Sequence, residues 1–187
     1  MRPRADAAAG RAPSSLITAR RPAAFLDRDG VINVDHGYTF RPEDLEFTPT
    51  AIEGIRLLNE ADYPVLVVTN QSGVARGMYG LVDVDAFHAH LNAVLKQVGA
   101  RIDAFYSCPY HPAGSVAEFA CEHEDRKPGP GMIRRAMREW NVTPEGSFLI
   151  GDKPSDAEAA TAAGIPSMLI EPNVGDLAAA VRKLLSR

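Results

Sequence analysis

The sequence predicts an α/β fold built on a doubly wound parallel β-sheet. Short runs of apolar residues recur along the chain, as expected for strands that are buried on both faces of a sheet. Segments with apolar residues at helical spacing separate these runs. This alternation of strands and helices is typical of a parallel sheet with helices packed on both faces.

Five apolar runs are the predicted strands, and each is only a few residues long. The second, YPVLVVTN, is almost continuously apolar until its polar end. In chain order, the runs cover residues 22–27, 63–70, 102–107, 146–152 and 166–172.

Five helices are predicted, four from the spacing of apolar residues and one, near Asp156, from an alanine-rich stretch. The first should open with a threonine cap and with Pro49 in its first turn, where proline is tolerated. The last carries an apolar stripe of Leu177, Val181 and Leu184, which we expect to pack into the core. The helical segments are 48–61, 83–99, 131–140, a stretch that begins near Asp156, and 174–187.

Composition and charge limit the classes of protein that the chain can represent. With 187 residues, 45% hydrophobic and 24% charged, it fits one compact domain, which we place at residues 23–187. Residues 1–22 are rich in alanine and arginine and are predicted to form a flexible arm. The net charge of -4 gives no electrostatic reason to bind nucleic acid or an anionic membrane, so we expect neither partner.

Targeting and redox features indicate a cytoplasmic protein. No apolar run approaches the roughly 20 residues needed to span a bilayer, and the N-terminal segment lacks the apolar centre of a signal peptide. Cys108 and Cys121 are too few for a disulfide framework in a chain of this length, so we interpret them as thiols or metal ligands.

Two carboxylates directly follow the first apolar run, in the motif FLDRDG. Side chains at i and i+2 of an extended chain point the same way, so we expect Asp27 and Asp29 to share a pocket and Arg28 to face away. Ligands of open parallel sheets bind beyond the carboxyl ends of the strands, where this pocket would lie. The alternative interpretation of Asp29 and Gly30 is an ordinary turn.

Three further polar clusters end or follow apolar runs. Thr69 and Asn70 are suited to surround an oxyanion, or alternatively to cap the following helix. Lys127 precedes a proline that restricts its backbone to extended conformations, which could direct its charge inward. The alternative is that Lys127 is an ordinary surface lysine. Asp152 follows the fourth run; Asp156, four residues later, is either part of the same site or a favourable acid in a helix's first turn.

Together, the four clusters indicate phosphoryl transfer. Carboxylates suit Mg²⁺, which commonly takes a phosphate oxygen as a further ligand. A transferring phosphoryl group needs a nucleophile, positive charge around its oxygens and an acid for the leaving group. If Asp27 attacks phosphorus, Asp29 can protonate the leaving oxygen and then take a proton from the hydrolytic water. Two acids are needed because the reaction has two halves.

The chain resembles the haloacid dehalogenase (HAD) superfamily of phosphatases over residues 23–170, especially its branch of heptose-bisphosphate and histidinol-phosphate phosphatases. The motifs that carry the resemblance are FLDRDGVINVDHGY, VVTNQSGVARG, CPYHPAGSVAEF, RKPGPGM and GDKPSDAEAA. It implies a Rossmann-like HAD fold. Only one helix is predicted between the first two strands, so we expect no separate cap domain.

The resemblance also implies an activity. We expect an Mg²⁺-dependent phosphatase that removes the 7-phosphate of a heptose 1,7-bisphosphate through an aspartyl-phosphate. A histidinol-phosphate phosphatase is the alternative within the superfamily, and a non-catalytic phosphosugar-binding module is the alternative of another class. The expected partner is a small phosphorylated sugar, and the chain is expected to be a monomer.

By the same resemblance, Asp27 is the nucleophile and Asp29 the general acid/base. Mg²⁺ would be held by Asp27, Asp152 and the backbone carbonyl of Asp29, while Thr69 and Lys127 would steady the phosphoryl group. The residues expected to bind the rest of the substrate are Asp35, His36, Gly37, Tyr38, Asn70, Gln71, Ser72, Arg126 and Lys153.

One loop departs from the pattern of the resembling phosphatases, which commonly carry a zinc site there. At the four ligand positions this chain has Cys108, Tyr110, His123 and Asp125. A shifted set with two thiolates and two imidazoles would still suit tetrahedral zinc. That set is Cys108, His111, Cys121 and His123. The alternative is a loop that folds without metal, held by packing of Phe119 and by local hydrogen bonds.

Overall fold

The computed structural model describes residues 20–186, whose centre is a five-stranded sheet. All strands are parallel, in the order β3-β2-β1-β4-β5. The predicted arm lies outside the described residues except for its end, where Arg21 forms a backbone bridge with Val142. The strands are β1 (Ala24–Leu26), β2 (Val65–Asn70), β3 (Ala104–Cys108), β4 (Phe148–Gly151) and β5 (Ser167–Leu169).

Helices connect the strands, and the segments predicted from apolar spacing are confirmed as helical. A four-residue helix, α2, was too short to be predicted by this means. The helices are α1 (Ala51–Glu60), α2 (Ser72–Ala75), α3 (Leu81–Gln97), α4 (Gly131–Glu139), α5 (Pro154–Ala163) and α6 (Leu177–Leu185), with one 3-10 turn at Pro42–Asp44.

The predicted start of α1 is wrong by two residues. The helix begins at Ala51, so Pro49 lies ahead of it, and Thr50 occupies the N-cap position without a capping hydrogen bond from its side chain. The Thr50 hydroxyl instead donates to Oδ1 of Asp176, at 2.9 Å, just before α6. A tertiary contact between two helix ends has therefore taken the place of a local cap.

The core is divided between the two faces of the sheet. Successive side chains of a strand point to opposite faces, so Leu26 of β1 packs in one cluster and Phe25 in the other. The Leu26 side is covered by α1, α3 and α6, and the Phe25 side by α4 and α5. The stripe predicted on α6 is buried in the first cluster. This is the doubly wound arrangement that the alternating pattern predicts.

The connection between β1 and β2 is short, as predicted. Within residues 20–186 it holds a loop with one 3-10 turn, followed by α1, and no inserted cap domain. This connection therefore places no separate domain over the carboxyl ends of the strands. No helix in the described residues has both the length and the apolar character needed to cross a membrane.

The packing of α3 gives a stability prediction. Leu91 is fully buried in the cluster on the α1 and α6 side, so Leu91→Ala should lower the free energy of unfolding by about 2–5 kcal/mol, measured by urea denaturation. The control is Val82→Ala in the same helix, where the residue is 80% exposed. That change should alter the free energy by less than about 0.5 kcal/mol. Equal effects of the two changes would contradict the assignment of the buried face.

Candidate active site

Asp27 lies at the carboxyl end of the central strand. Leu26, the last residue of β1, pairs with Val67 of β2 and Ile150 of β4, so Asp27 follows β1 between the carboxyl-terminal parts of its two neighbouring strands. The Asp27 backbone N–H still donates to the Ile150 carbonyl, at 2.9 Å. The residue is 5% exposed, and its Oδ1 accepts a hydrogen bond from the Arg28 backbone N–H at 2.7 Å. Asp27 is thus fixed at a buried position.

Lys127 places a buried positive charge beside Asp27. Its Nζ lies 2.9 Å from Asp27 Oδ1 and 2.6 Å from Asp156 Oδ1. It also donates to the backbone carbonyl of Val68 at 2.8 Å. The carbonyl accepts a hydrogen bond, and the two carboxylates form ion pairs with the ammonium. Lys127 points inward, and it joins two carboxylates that would otherwise repel each other.

Asn70 determines where Lys127 lies. Its side-chain amide accepts from the Lys127 backbone N–H and donates to the Lys127 carbonyl, both at 3.0 Å. Burial disfavours the charged ammonium of Lys127, but the two neighbouring carboxylates outweigh burial and raise the pKa of the lysine. Lys127 therefore stays charged in the folded protein. Asn70, predicted to bind substrate, holds the lysine with both ends of its amide.

Asp152 has the properties of a cation ligand. Its side chain is 1% exposed, its two carboxylate oxygens have no hydrogen-bond partner among residues 20–186, and the nearest ammonium, that of Lys153, is 3.8 Å away. Oxygen atoms from Asp27, Asp152 and Asp156 lie within 4.8 Å of one another. Buried carboxylates without donors favour a cation. The cluster could therefore hold a metal, and an all-oxygen set suits Mg²⁺.

Asp156 was not among the predicted ligands, although its distance of four residues from Asp152 is visible in the sequence. It is fully buried, and Oδ2 accepts from the backbone N–H groups of Asp152, at 3.2 Å, and Lys153, at 3.0 Å. These bonds hold the turn from β4 into α5. A side chain at Gly151 would not fit, because its Cβ would lie 2.4 Å from Asp156 Cβ.

Gly30 allows Asp152 to approach the Asp27 motif. Its φ of +85° is a conformation that favours glycine, and a Cβ there would lie 2.5 Å from Oδ2 of Asp152. The turn alternative for Asp29 and Gly30 is therefore correct in its backbone geometry, but the same turn also forms one wall of the carboxylate cluster.

The expectation that Arg28 faces away from the two carboxylates is wrong. The chain leaves the extended conformation after β1, and the backbone N–H groups of Ile32 and Asn33 bond back to the Arg28 carbonyl, so alternation of side chains no longer applies. Arg28 is fully buried, and its Nε and Nη2 donate to the carboxylate of Asp29 at 2.9–3.0 Å. Asn33 and Gln71 each donate a further hydrogen bond to Asp29, at 3.0 Å.

Gln71 connects several predicted site residues. Its Nε2 donates to Asp29 and also to Oγ1 of Thr69, at 2.8 Å, and its Oε1 accepts from the Tyr79 hydroxyl, also at 2.8 Å. Gln71 and Thr69 are almost fully buried, whereas Ser72, the first residue of α2, is partly exposed. Tyr79 could not be predicted as a partner of Gln71, because the pairing depends on the fold of the intervening turn.

The segment 35–41, here called the flap, lies at the edge of this site. Lys153 Nζ is 3.5 Å from Oδ2 of Asp35, which links the flap to the start of α5. The Asp35 backbone N–H donates to Oδ1 of Asn173 at 2.7 Å. A cleft of about 390 Å³ lies along the flap and not at the carboxylate cluster. Its lining residues are His36, Gly37, Tyr38, Thr39, Phe40, Arg41 and Asp44.

The chain is similar to proteins of known family. Residues 125–183 match the family described as HAD-hydrolase-like. A D-glycero-beta-D-manno-heptose-1,7-bisphosphate 7-phosphatase from Rhodopseudomonas palustris is 51% identical over 154 residues, which cover 81% of this chain and 84% of that protein. A protein of the same name from Escherichia coli K12 is 39% identical, over 80% of this chain and 78% of that protein. The chain belongs to the heptose-bisphosphate phosphatase family of the HAD superfamily.

Solved structures agree with this assignment. A D,D-heptose 1,7-bisphosphate phosphatase from B. bronchiseptica, complexed with magnesium and phosphate, superposes with a TM-score of 0.77. It is 31% identical and covers 88% of this chain and 98% of its own. The predicted superfamily and fold class are confirmed, and the chain is a HAD-type phosphoric monoester hydrolase.

The loop of this HAD phosphatase that carries the candidate zinc ligands is held by aromatic contacts. Tyr110 stacks on the ring of His123, with centroids 4.1 Å apart, and meets Phe119 edge-on at 5.7 Å. Nδ1 of His123 accepts from a backbone N–H at 3.0 Å, and Nδ1 of His111 does the same. The packing of Phe119 named in the metal-free alternative is therefore present.

The four predicted zinc ligands do not converge. In the described part of the chain, only Asp27, Asp152 and Asp156 bring three or more potential ligand atoms within 4.8 Å of one another. Cys108 is buried and Cys121 exposed, and both are free thiols. Burial raises the pKa of Cys108 to about 11, which disfavours the thiolate that zinc requires. Zinc at this loop stays a prediction.

The titration of Asp27 gives a pH prediction for the metal-free protein. Burial is the main cause that raises the pKa of Asp27 from its ordinary 3.8 to about 7, with Asp156 and Asp29 adding to it against the opposing charge of Lys127. Between these values the folded protein binds a proton that the unfolded chain has lost, so the free energy of unfolding should fall as pH rises from about 4 to about 7.

Asp27→Asn cannot ionise, so it should flatten this decrease and should be more stable than the parent above about pH 7. Urea unfolding in EDTA, at several pH values between about 5 and 8, measures the effect. The control is Asp176→Asn, because a hydrogen bond from the Ala179 backbone N–H lowers the pKa of Asp176 and removes its titration from this range. A parent protein that becomes more stable over this range would contradict the sign.

Proposed function

We propose that the chain is an Mg²⁺-dependent phosphatase that removes the 7-phosphate of D-glycero-D-manno-heptose 1,7-bisphosphate, in the synthesis of nucleotide-activated heptose. The observation that carries the proposal is the buried carboxylate cluster. Asp27 is held by Lys127 beside an Asp152 without hydrogen-bond donors, and a second acid, Asp29, is held separately. The names of the two relatives supply the substrate.

In the first half-reaction, Asp27 attacks phosphorus. Its Oδ1 is already bound to Lys127 and to the Arg28 backbone N–H, so we assign the attack to Oδ2. A bond forms between this oxygen and phosphorus, and the bond from phosphorus to the sugar oxygen breaks. Asp29 donates its proton to that leaving oxygen. The Lys127 ammonium offsets part of the negative charge that gathers on the phosphoryl oxygens.

In the second half-reaction, water hydrolyses the aspartyl-phosphate. Asp29, now ionised, takes one proton from the water while the water oxygen bonds to phosphorus. The bond from phosphorus to Asp27 breaks and restores the carboxylate, and inorganic phosphate leaves. Asp29 is proton donor in one half and acceptor in the other, so its carboxylate has to remain free of any covalent bond to phosphorus.

The residues that would hold Mg²⁺ are Asp27, Asp152 and the backbone carbonyl of Asp29, with Asp156 beside them. The donor set fits a hard cation, because all of its ligand atoms are oxygens and those of Asp152 are buried without a hydrogen-bond donor. A bound Mg²⁺ supplies charge neutralisation for the phosphoryl group and a template that orients it.

The rest of the substrate is assigned to the flap and to two cations, Lys153 and Arg126. Lys153 lies between Asp35 of the flap and Asp152 of the cluster, at 3.5 and 3.8 Å, so it can contact a ligand that spans the two. Arg126 directly precedes Lys127, and one of its N–H groups donates to the Tyr110 carbonyl at 3.3 Å. A guanidinium has five donors, which leaves others for a distal phosphate or sugar oxygen.

The test is phosphate release with Mg²⁺ from both anomers of heptose 1,7-bisphosphate, with histidinol phosphate and several sugar monophosphates as competitors. We expect selective release from the bisphosphate, loss of release in excess EDTA, and recovery when Mg²⁺ is added back. Asp27→Asn should reduce release to the background, since no aspartyl-phosphate can form. Faster release from histidinol phosphate would contradict the proposed substrate and leave the reaction type intact.

Asp29→Asn separates a phosphatase from a phosphosugar-binding module. It should lower kcat by about 100-fold or more, because the proton donor and acceptor is lost. Binding of a phosphate analogue, measured by calorimetry, should change little. Unchanged turnover would contradict the role of Asp29.

Zinc binding at the loop is tested by the metal content of the purified protein. A tetrahedral site from the predicted set would give one zinc per chain, which Cys121→Ser should reduce because a thiolate ligand is lost. Protein without zinc but with full Mg²⁺-dependent activity would contradict the zinc prediction.

A further inference from the structure

The guanidinium of Arg28 is fully buried and has partners on all sides. Nε and Nη2 donate to the carboxylate of Asp29, Nη2 also donates to the Thr39 carbonyl of the flap at 2.6 Å, and Nη1 lies 3.1 Å from Nε2 of His88. A buried charge is costly unless it is paired and hydrogen-bonded, and this one is both. One group thus contacts the second acid of the site and the flap at the same time.

Two residues of helix α3 contact the guanidinium. Arg28 lies over the ring of Phe87, 4.6 Å from the centroid, and the next residue, His88, stacks on Phe105 of β3 at 4.2 Å. Burial and the adjacent Arg28 lower the pKa of His88 well below its ordinary value. His88 is therefore neutral and can accept the hydrogen bond from Nη1. These contacts hold Arg28 in one orientation.

A second route joins the flap to Asp29. Phe40 of the flap stacks on Tyr79, with centroids 4.5 Å apart, and the Tyr79 hydroxyl donates to Gln71 Oε1 at 2.8 Å. Gln71 in turn donates to Oδ2 of Asp29 at 3.0 Å. Thr39 and Phe40 are adjacent, so neighbouring residues of the flap reach the same carboxylate by separate sets of contacts.

We propose that Arg28 is a positioning residue for Asp29, which aims the carboxylate for proton transfer and ties its location to that of the flap. The inference rests on the proposed function, in which Asp29 exchanges protons in both half-reactions. Proton transfer requires the acid within hydrogen-bond reach of the reacting oxygen, so a displaced Asp29 is an ineffective acid and base. The planar fork of arginine fixes both carboxylate oxygens, which the single ammonium of lysine cannot do.

The test compares Arg28→Lys and Arg28→Met with the parent protein on two substrates. One is p-nitrophenyl phosphate, whose leaving group departs without a proton; the other is the heptose bisphosphate, whose leaving group needs one. With p-nitrophenyl phosphate, kcat/KM reports attack by Asp27 and should stay within about threefold of the parent. Its kcat should fall by about 100-fold, because hydrolysis of the aspartyl-phosphate still needs a base.

Three further readouts distinguish positioning from a general structural role. The variants should release p-nitrophenol in a burst of one equivalent per chain, followed by slow turnover, as the aspartyl-phosphate accumulates. Acid quenching should trap this phosphate on Asp27. With the heptose bisphosphate, kcat/KM should fall by about 100-fold as well, since the leaving oxygen is no longer protonated efficiently.

A remote pair of the same type supplies the matched control. Arg101 contacts Asp103 through Nε at 3.1 Å, at the start of β3 and therefore at the opposite edge of the sheet. Arg101→Met should leave the kinetics on both substrates unchanged. Folded Arg28 variants with the kinetics of the parent, or with equal losses on both substrates and no burst, would overturn the proposal.

Should Arg28 variants fail to fold, two milder changes decide the question. Tyr79→Phe keeps the stack on Phe40 and removes only the hydroxyl that holds Gln71. His88→Phe keeps a ring against Phe105 and removes the acceptor of Arg28. Each should lower kcat by about 10-fold and should produce a burst of p-nitrophenol. This decrease in kcat is smaller than the usual contribution of acid–base catalysis. Parent kinetics in both would overturn the proposal.

The experiments distinguish a failure of the inference on Arg28 from a failure of the proposed function. If the parent protein releases phosphate from p-nitrophenyl phosphate but not from heptose bisphosphate, the substrate assignment fails, and the burst measurement still tests Arg28. If Asp27→Asn retains full activity, the reaction itself is wrong, and the inference on Arg28 falls with it.

Discussion

The buried ion pair between Lys127 and two carboxylates is the interaction on which the rest of the site depends. The ammonium offsets the repulsion between the carboxylates of Asp27 and Asp156, and those carboxylates offset the cost of burying the ammonium. Because Asn70 holds the Lys127 backbone, the end of β2 determines where that charge lies. Three segments that are distant along the chain are thereby brought to one point beyond the sheet.

Charge is distributed around this point in two separate groups. Asp27, Asp156 and Lys127 form one group, with Asp152 beside it as a carboxylate suited to a cation. Arg28 and Asp29 form the other, in which the guanidinium contacts the carboxylate at 2.9 Å and packs on Phe87 of α3. The separation matches the chemistry. The nucleophilic carboxylate needs a positive charge next to it, whereas the acid/base has to gain and lose a proton without disturbing that arrangement.

Much of the site could be predicted because its residues follow strands. Strand positions follow from apolar runs, and the carboxyl ends of parallel strands meet at one edge, so Asp27, Thr69 and Asp152 were predicted to lie together. Arg28 could not be predicted in the same way, because alternation holds only while the chain is extended, and the chain bends at Arg28, one residue beyond Asp27. The candidate zinc ligands do not converge. Their positions could not be predicted, because the residue types in a loop do not determine the path of its backbone.

The sequence by itself determined the class of fold, the order of its elements and the identity of the two acids at the end of β1, because each depends on local spacing. Only the tertiary structure decided which partner each charge has. Arg28 meets His88 sixty residues away, and Lys127 meets Val68 and Asp27, through contacts that form only when separate elements pack together. Pairing of buried charges depends on distances of a few ångströms, and those distances follow from packing across the sheet.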